Sequence, residues 1–118
     1  MKNRLDGDYI EDILTSLNSI EKFVENYSYE DFIEDEKTYE AVIRKFGIIG
    51  EACNKISEEI KEKYPDIPWR QIISMRNKVV HGYFGVDLAT IWDTIQINFP
   101  EFKIFIINLL QDIKNEDV

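Results

Sequence analysis

Residues 39–60, YEAVIRKFGIIGEACNKISEEI, decide the fold class. Tyr39, Val42, Ile43, Phe46, Ile49, Cys53, Ile56 and Ile60 recur mostly at spacings of three and four, the period of an α-helix that buries one face. The helix is expected to be stopped by Pro65, which disfavours helical dihedrals at Tyr64, the residue before it. A helix of this length should be central to the domain. Gly47 and Gly50 each weaken it by up to about 1 kcal/mol relative to alanine, so they are expected to mark a place where another backbone comes close.

Working outward, Ile10, Ile13, Leu14, Leu17, Ile20 and Val24 form a second such stripe, with Glu11, Asp12, Asn18, Glu21 and Lys22 on the opposite side. Ser28, followed by Glu30 and Asp31, reads as the N-cap of a short helix ending near Asp35. Pro68 suits the first turn of a fourth helix and Gly82 the position just past its end. Asp87 caps a fifth that carries Leu88, Ile91, Trp92 and Ile95. Pro100 either kinks that helix or opens a sixth with Phe102, Phe105, Ile106, Leu109 and Ile113, and two segments are expected. No strand alternation, repeat or linker is visible, so the expectation is an all-α, compact helical bundle of about five to six helices in one domain spanning residues 1–118.

Composition narrows the function. The net charge of −9 favours solubility and does not advertise a nucleic-acid partner, so any RNA must meet a local positive patch. Lys37, Arg44, Lys45, Lys55, Arg70 and Lys78 are candidate components of one. A single cysteine, Cys53, excludes an intrachain disulfide and a two-cysteine metal site, and suits a reducing cytoplasm. No apolar run approaches the roughly 18 residues of a membrane span, and the polar start Met1–Asp6 lacks a signal-peptide core.

Arg76, His81 and Tyr83 form an Arg-x4-His-x-Tyr string within Ser74–Tyr83. Around it stand Asp8-Tyr9-Ile10-Glu11-Asp12-Ile13, Ala41-Val42-Ile43-Arg44, Ile49-Gly50-Glu51-Ala52, Tyr64-Pro65-Asp66-Ile67-Pro68-Trp69-Arg70, Ile91-Trp92-Asp93-Thr94 and Phe99-Pro100. String and blocks together resemble the HEPN superfamily, specifically the HepT-like ribonuclease toxins, over nearly the whole chain. The resemblance implies an up-and-down bundle that forms a homodimer with a composite active site, a metal-independent endoribonuclease without cofactors, and an RNA substrate. It also implies a type VII-like toxin–antitoxin pairing with a minimal nucleotidyltransferase of the MntA type. In HepT-like families that partner attaches AMP to the tyrosine matching Tyr83 and silences the nuclease.

The residue types suit that chemistry. Cleaving RNA without a metal needs a base for the 2′-hydroxyl, a proton donor for the leaving oxygen, and positive charge on the developing phosphorane. His81 is the only histidine and titrates near neutrality, while Arg76 offers a planar donor fork to phosphate oxygens. A helix C-terminus favours the protonated imidazole. Five positions place Arg76 and His81 some 140° apart around an ideal helix. Either the helix end distorts near Gly82, or the site draws groups from two chains, which would also supply two histidines. Asn77, on the face of His81, orients the imidazole, binds a phosphate oxygen, or is an ordinary solvated residue.

Plainer readings stand beside these. A histidine before glycine is commonly a helix-capping residue, Arg76 a solubilising charge, and Tyr83 a packed ring with a bonded hydroxyl. An alternative function is a non-catalytic helical subunit that docks a nucleotidyltransferase and holds nucleotide or RNA at Arg76 and His81; a third is a dimerisation module. Glu51, Asp8, Glu11 and Asp12 read as hydrated helix faces, so no metal is expected. Cys53 reads as a packed thiol, and Phe46, Trp69, Trp92, Phe99, Phe102 and Phe105 as core, with Phe84 less settled.

Overall fold

The apolar stripes become the buried seams of the structure, a computed structural model that describes residues 2–81 and 87–116, with side chains from Leu5 to Val79 and from Asp87 to Glu116. Helix α1 (Lys2–Phe23) buries Ile10, Ile13, Leu17 and Ile20 against α3 (Glu36–Lys55), whose Val42, Phe46, Ile49 and Cys53 face back. Each such burial contributes on the order of 1.5–3 kcal/mol. Helix α5 (Trp69–His81) packs along α3, and α7 (Phe99–Glu116) along α1. The result is the expected all-α bundle. The buried side chains form one contiguous cluster that includes Trp69, Phe99 and Phe102.

Short elements connect the long ones. After α1 the chain turns through Asn26, at φ 63°, a left-handed conformation that asparagine tolerates better than most residues. Ser28 then caps α2 (Tyr29–Glu34): its hydroxyl accepts from the Asp31 N–H while the Asp31 carboxylate accepts from the Ser28 N–H. Asp35 ends α2 and starts α3, accepting from the Thr38 N–H (3.1 Å), the Thr38 hydroxyl (2.7 Å) and the Tyr27 hydroxyl (2.6 Å). These bonds hold its carboxyl below the ordinary value, the Tyr27 bond most strongly.

Two boundaries depart from the sequence reading. The stripe through Ile60 does not lie on one helix: the chain leaves helical geometry at Ile56 (ψ 142°) and restarts as α4 (Glu58–Lys63). Ser57 is the cause, because its hydroxyl accepts from the Ile60 N–H, and the buried Asp6 carboxylate on α1 accepts from both the Ser57 N–H (3.0 Å) and its hydroxyl (2.8 Å). Cap and buried acceptor together outweigh helix continuation.

The second departure is at Pro100. Helix α6 (Leu88–Asp93), capped by Asp87 as expected, does not stop; it passes through a π-helical turn (Thr94–Asn98) directly into α7. The Phe99 N–H donates to the Thr94 carbonyl, five residues back, and both residues keep right-handed helical dihedrals. The wider turn re-sets the ladder so that Pro100, which has no N–H to give, falls in the first turn of α7. Counted as one rod, α6 and α7 leave six helices among the described residues, within the expected five to six. No helix among them is long and apolar enough to cross a membrane.

Candidate active site

Gly50 brings α3 and α5 together where the chemistry is expected. A Cβ built on Gly50 would overlap the Cβ and Cγ of Arg76, so only glycine lets the arginine stem cross α3 at this height. The close approach predicted from Gly47 and Gly50 is found at Gly50; Gly47 lines the adjoining cleft.

The Arg76 guanidinium is then fastened on two sides. Its Nη2 lies 2.9 Å from Glu51 Oε2 on α3, and its Nη1 donates to Asn77 Oδ1 at 2.9 Å. Its Nε is buried among the described atoms and has no hydrogen-bond partner. A dry, unbonded donor on a charged group costs about 1–3 kcal/mol or more, an expense usually met at sites that do something. Each terminal nitrogen carries two hydrogens, so beyond these bonds one N–H on each is left to donate to a phosphate oxygen.

Arg76 lines a cleft of about 460 Å³ between α1, α3 and α5, with Tyr9, Asp12, Arg44, Glu51 and Lys55 among others. Lys55 Nζ stands 3.5 Å from Glu51 and 6.0 Å from the centre of the Tyr9 ring. Among these residues three cations face two carboxylates, so the cleft is locally positive on a chain of net charge −9. Arg44 and Lys55 thus join Arg76. Arg70 and Lys78 instead line a cavity of about 550 Å³ between α5 and α6, with Ser74, Met75 and Ile91.

Helix α5 is unbroken through His81, so the distortion considered near its end does not lie between Arg76 and His81. The His81 side chain lies outside the described residues, as do Gly82, Tyr83 and Phe84. Asn77 touches Arg76, a partner its sequence position did not suggest.

Glu51 is the residue the sequence reading missed, having been taken for a hydrated acid. Its signal was the adjacent Gly50, since a residue beside a helix–helix contact is carried toward the partner helix. Among the other acids, Glu11 pairs with Lys114 at 3.7 Å, and no group of three His, Cys, Asp or Glu among the described residues is arranged to hold a metal. The Cys53 thiol is buried and pushed up to about 12 by loss of solvent, so it is not a nucleophile at neutral pH.

Residues 13–109 match the family model described as Ribonuclease HepT-like. The chain belongs to this family. The protein named "Probable ribonuclease HepT" from Thermococcus cleftensis is 45% identical over 96 residues, covering 81% of this chain and 87% of its own. An RNase-named protein of Methanocaldococcus jannaschii is 40% identical over 109 residues, 92% of this chain and 90% of its own. A second from that organism is 39% identical over 108 residues, 92% and 93% respectively. No solved structure matches. The HepT-like family is one of ribonucleases, so the enzyme class expected of the chain agrees with its membership.

Proposed function

We propose that the chain is a metal-independent endoribonuclease, the toxin of a type VII-like toxin–antitoxin pair, acting as a homodimer in the cytoplasm. Arg76 binds the scissile phosphate and stabilises its transition-state charge. His81 serves as general base and acid, one histidine from each protomer. The 2′-hydroxyl loses its proton to one imidazole and attacks phosphorus, and the other imidazole protonates the departing 5′-oxygen, leaving a 2′,3′-cyclic phosphate and a 5′-hydroxyl. Asn77 supports the site by bonding Arg76.

The observation that carries this reading is the guanidinium of Arg76, held by Glu51 and Asn77 and lining a positive cleft, on a helix that runs unbroken from Arg76 to His81. A symmetric pairing of two such helices would bring an arginine of one chain to the histidine of the other, which is why the homodimer belongs to the proposal. Tyr83, two residues past His81, is the proposed site of AMP attachment by a minimal nucleotidyltransferase antitoxin. The added nucleotide would set bulk and negative charge where RNA must bind.

The test is cleavage of RNA in EDTA by the unmodified dimer, comparing wild type with Arg76→Ala and His81→Ala, with the mass of each preparation checked. Cleavage by wild type and not by the variants is expected. An unmodified dimer that binds RNA yet cuts none of a broad panel refutes the enzyme and leaves the RNA-binding subunit.

A further inference from the structure

We propose that Glu51 is the positioning residue for Arg76: it holds the guanidinium in the orientation that meets the scissile phosphate, at the expense of RNA affinity. This rests on the endoribonuclease reading above. Arg76 has one anchor along its stem and two at its tip. Gly50 lets the stem lie against α3, Asn77 takes Nη1, and Glu51 takes Nη2 at 2.9 Å. With Nε buried and unbonded, no other described acceptor fixes the plane of the group. An arginine held at three points loses little freedom when the phosphorane forms, which is how preorganised charge accelerates a reaction.

Glu51 is itself held. Lys55, one turn further along α3, draws its carboxylate from the other side at 3.5 Å, so the acid sits between two cations of the cleft. Its charge opposes the approach of an RNA backbone that Arg44, Lys55 and Arg76 attract. Orientation and affinity therefore pull in opposite directions at this residue. That opposition gives the proposal a signature that a purely structural ion pair lacks: loss of Glu51 should slow cleavage while tightening binding.

The experiment is a double-substitution cycle on the full-length dimer with Glu51→Ala, Glu51→Gln, Arg76→Ala and the Glu51→Ala/Arg76→Ala pair. Cleavage of a mixed-sequence oligoribonucleotide is measured at single turnover, and affinity with its uncleavable 2′-O-methyl copy. Glu51→Ala is expected to lower the cleavage rate on the order of 10- to 100-fold. It should also bind the 2′-O-methyl copy a few-fold more tightly (~2- to 5-fold) at low salt, the gain fading as salt rises. Glu51→Gln, which can still accept from Nη2, should recover part of the rate. On the Arg76→Ala background Glu51→Ala should lower any residual cleavage no further, and its effect on affinity should differ from that in the wild type.

Wild-type cleavage by Glu51→Ala overturns the proposal, and so do losses that multiply in the double variant. If Arg76→Ala abolishes cleavage while Glu51→Ala cleaves at the wild-type rate, only the role of Glu51 falls. If wild type itself cleaves nothing, the enzyme reading fails, and the affinities decide the rest. An Arg76→Ala effect on binding that is the same with and without Glu51 then overturns the coupling, and an unequal one upholds it.

Discussion

Replacing Gly50 with alanine sets two opposite effects against each other. In an exposed helix the change would stabilise by up to about 1 kcal/mol, because alanine loses less backbone freedom on folding. At Gly50 the new methyl would occupy the space of the Arg76 Cβ and Cγ. Carbon atoms rest at about 3.5–4 Å, so α3 and α5 must separate by more than an ångström or Arg76 must leave its rotamer. Overpacking of this kind costs about 1–3 kcal/mol. The net expectation is a loss of about 1–2 kcal/mol, read as a fall of several degrees in Tm, or roughly 0.5–1 M in urea midpoint, at fixed protein concentration. Gly7 is the internal control: a Cβ there would meet Ile113 Cγ2 at 3.8 Å, ordinary contact, so Gly7→Ala should stabilise by up to about 1 kcal/mol. Gly50→Ala with wild-type stability or better, or the two variants shifting in the same direction, would refute the close-approach argument.

Three further outcomes are expected. Asp6→Ala removes the buried acceptor for the N–H and hydroxyl of Ser57 and should destabilise by about 2–3 kcal/mol, with the Ser57 amide exchanging faster by NMR. Tyr27→Phe removes the largest influence on Asp35, so the carboxyl should titrate closer to the ordinary 3.8 of an aspartate. Because the native value is depressed, the stability this contributes is present above pH 4 or so and lost as pH falls through the native value, and the variant should show less acid-dependent loss. Cys53 should resist thiol reagents until the protein unfolds. Its native value is raised to about 12 from 9.0, so its contribution is complete below pH 9 and declines between pH 9 and 12, by up to about 1.4 kcal/mol per pH unit, less in a Cys53→Ala variant.

Much of the bundle could be read from periodicity because each stripe had a single partner face to bury. Ile10, Ile13, Leu17 and Ile20 on α1 and Val42, Phe46, Ile49 and Cys53 on α3 are buried where their spacing put them. Caps that act within four residues, Ser28 and Asp87, were legible for the same reason. The break at Ile56 was not, since its cause is Asp6, far away in sequence, and a serine in a helical pattern gives no hint of a distant carboxylate. At the site, Arg76 stood out by its company in the sequence, and Gly50 announced a contact without naming what it touched. Glu51 was hidden because its partner lies on another helix, and acids on helix faces are ordinarily solvated.

The π-helical turn at Thr94–Asn98 has a bearing on how this rod can change length. Ile91, Ile95 and Phe99 are spaced by four, a step that in an α-helix overshoots one full turn by about 40° each time. Trp92 is committed to Phe32, 5.3 Å away between ring centres, while Phe99 is committed to Phe46 at 5.1 Å. The turn holds the surplus residue between these two commitments. Deleting one residue there should return the turn to α-helical spacing with both commitments kept, whereas a deletion placed a turn later would rotate Phe102, Ile106, Leu109 and Ile113 out of the interior together. The segment is thus a tolerance joint, the one stretch of the C-terminal rod where a change in residue number need not become a change in register.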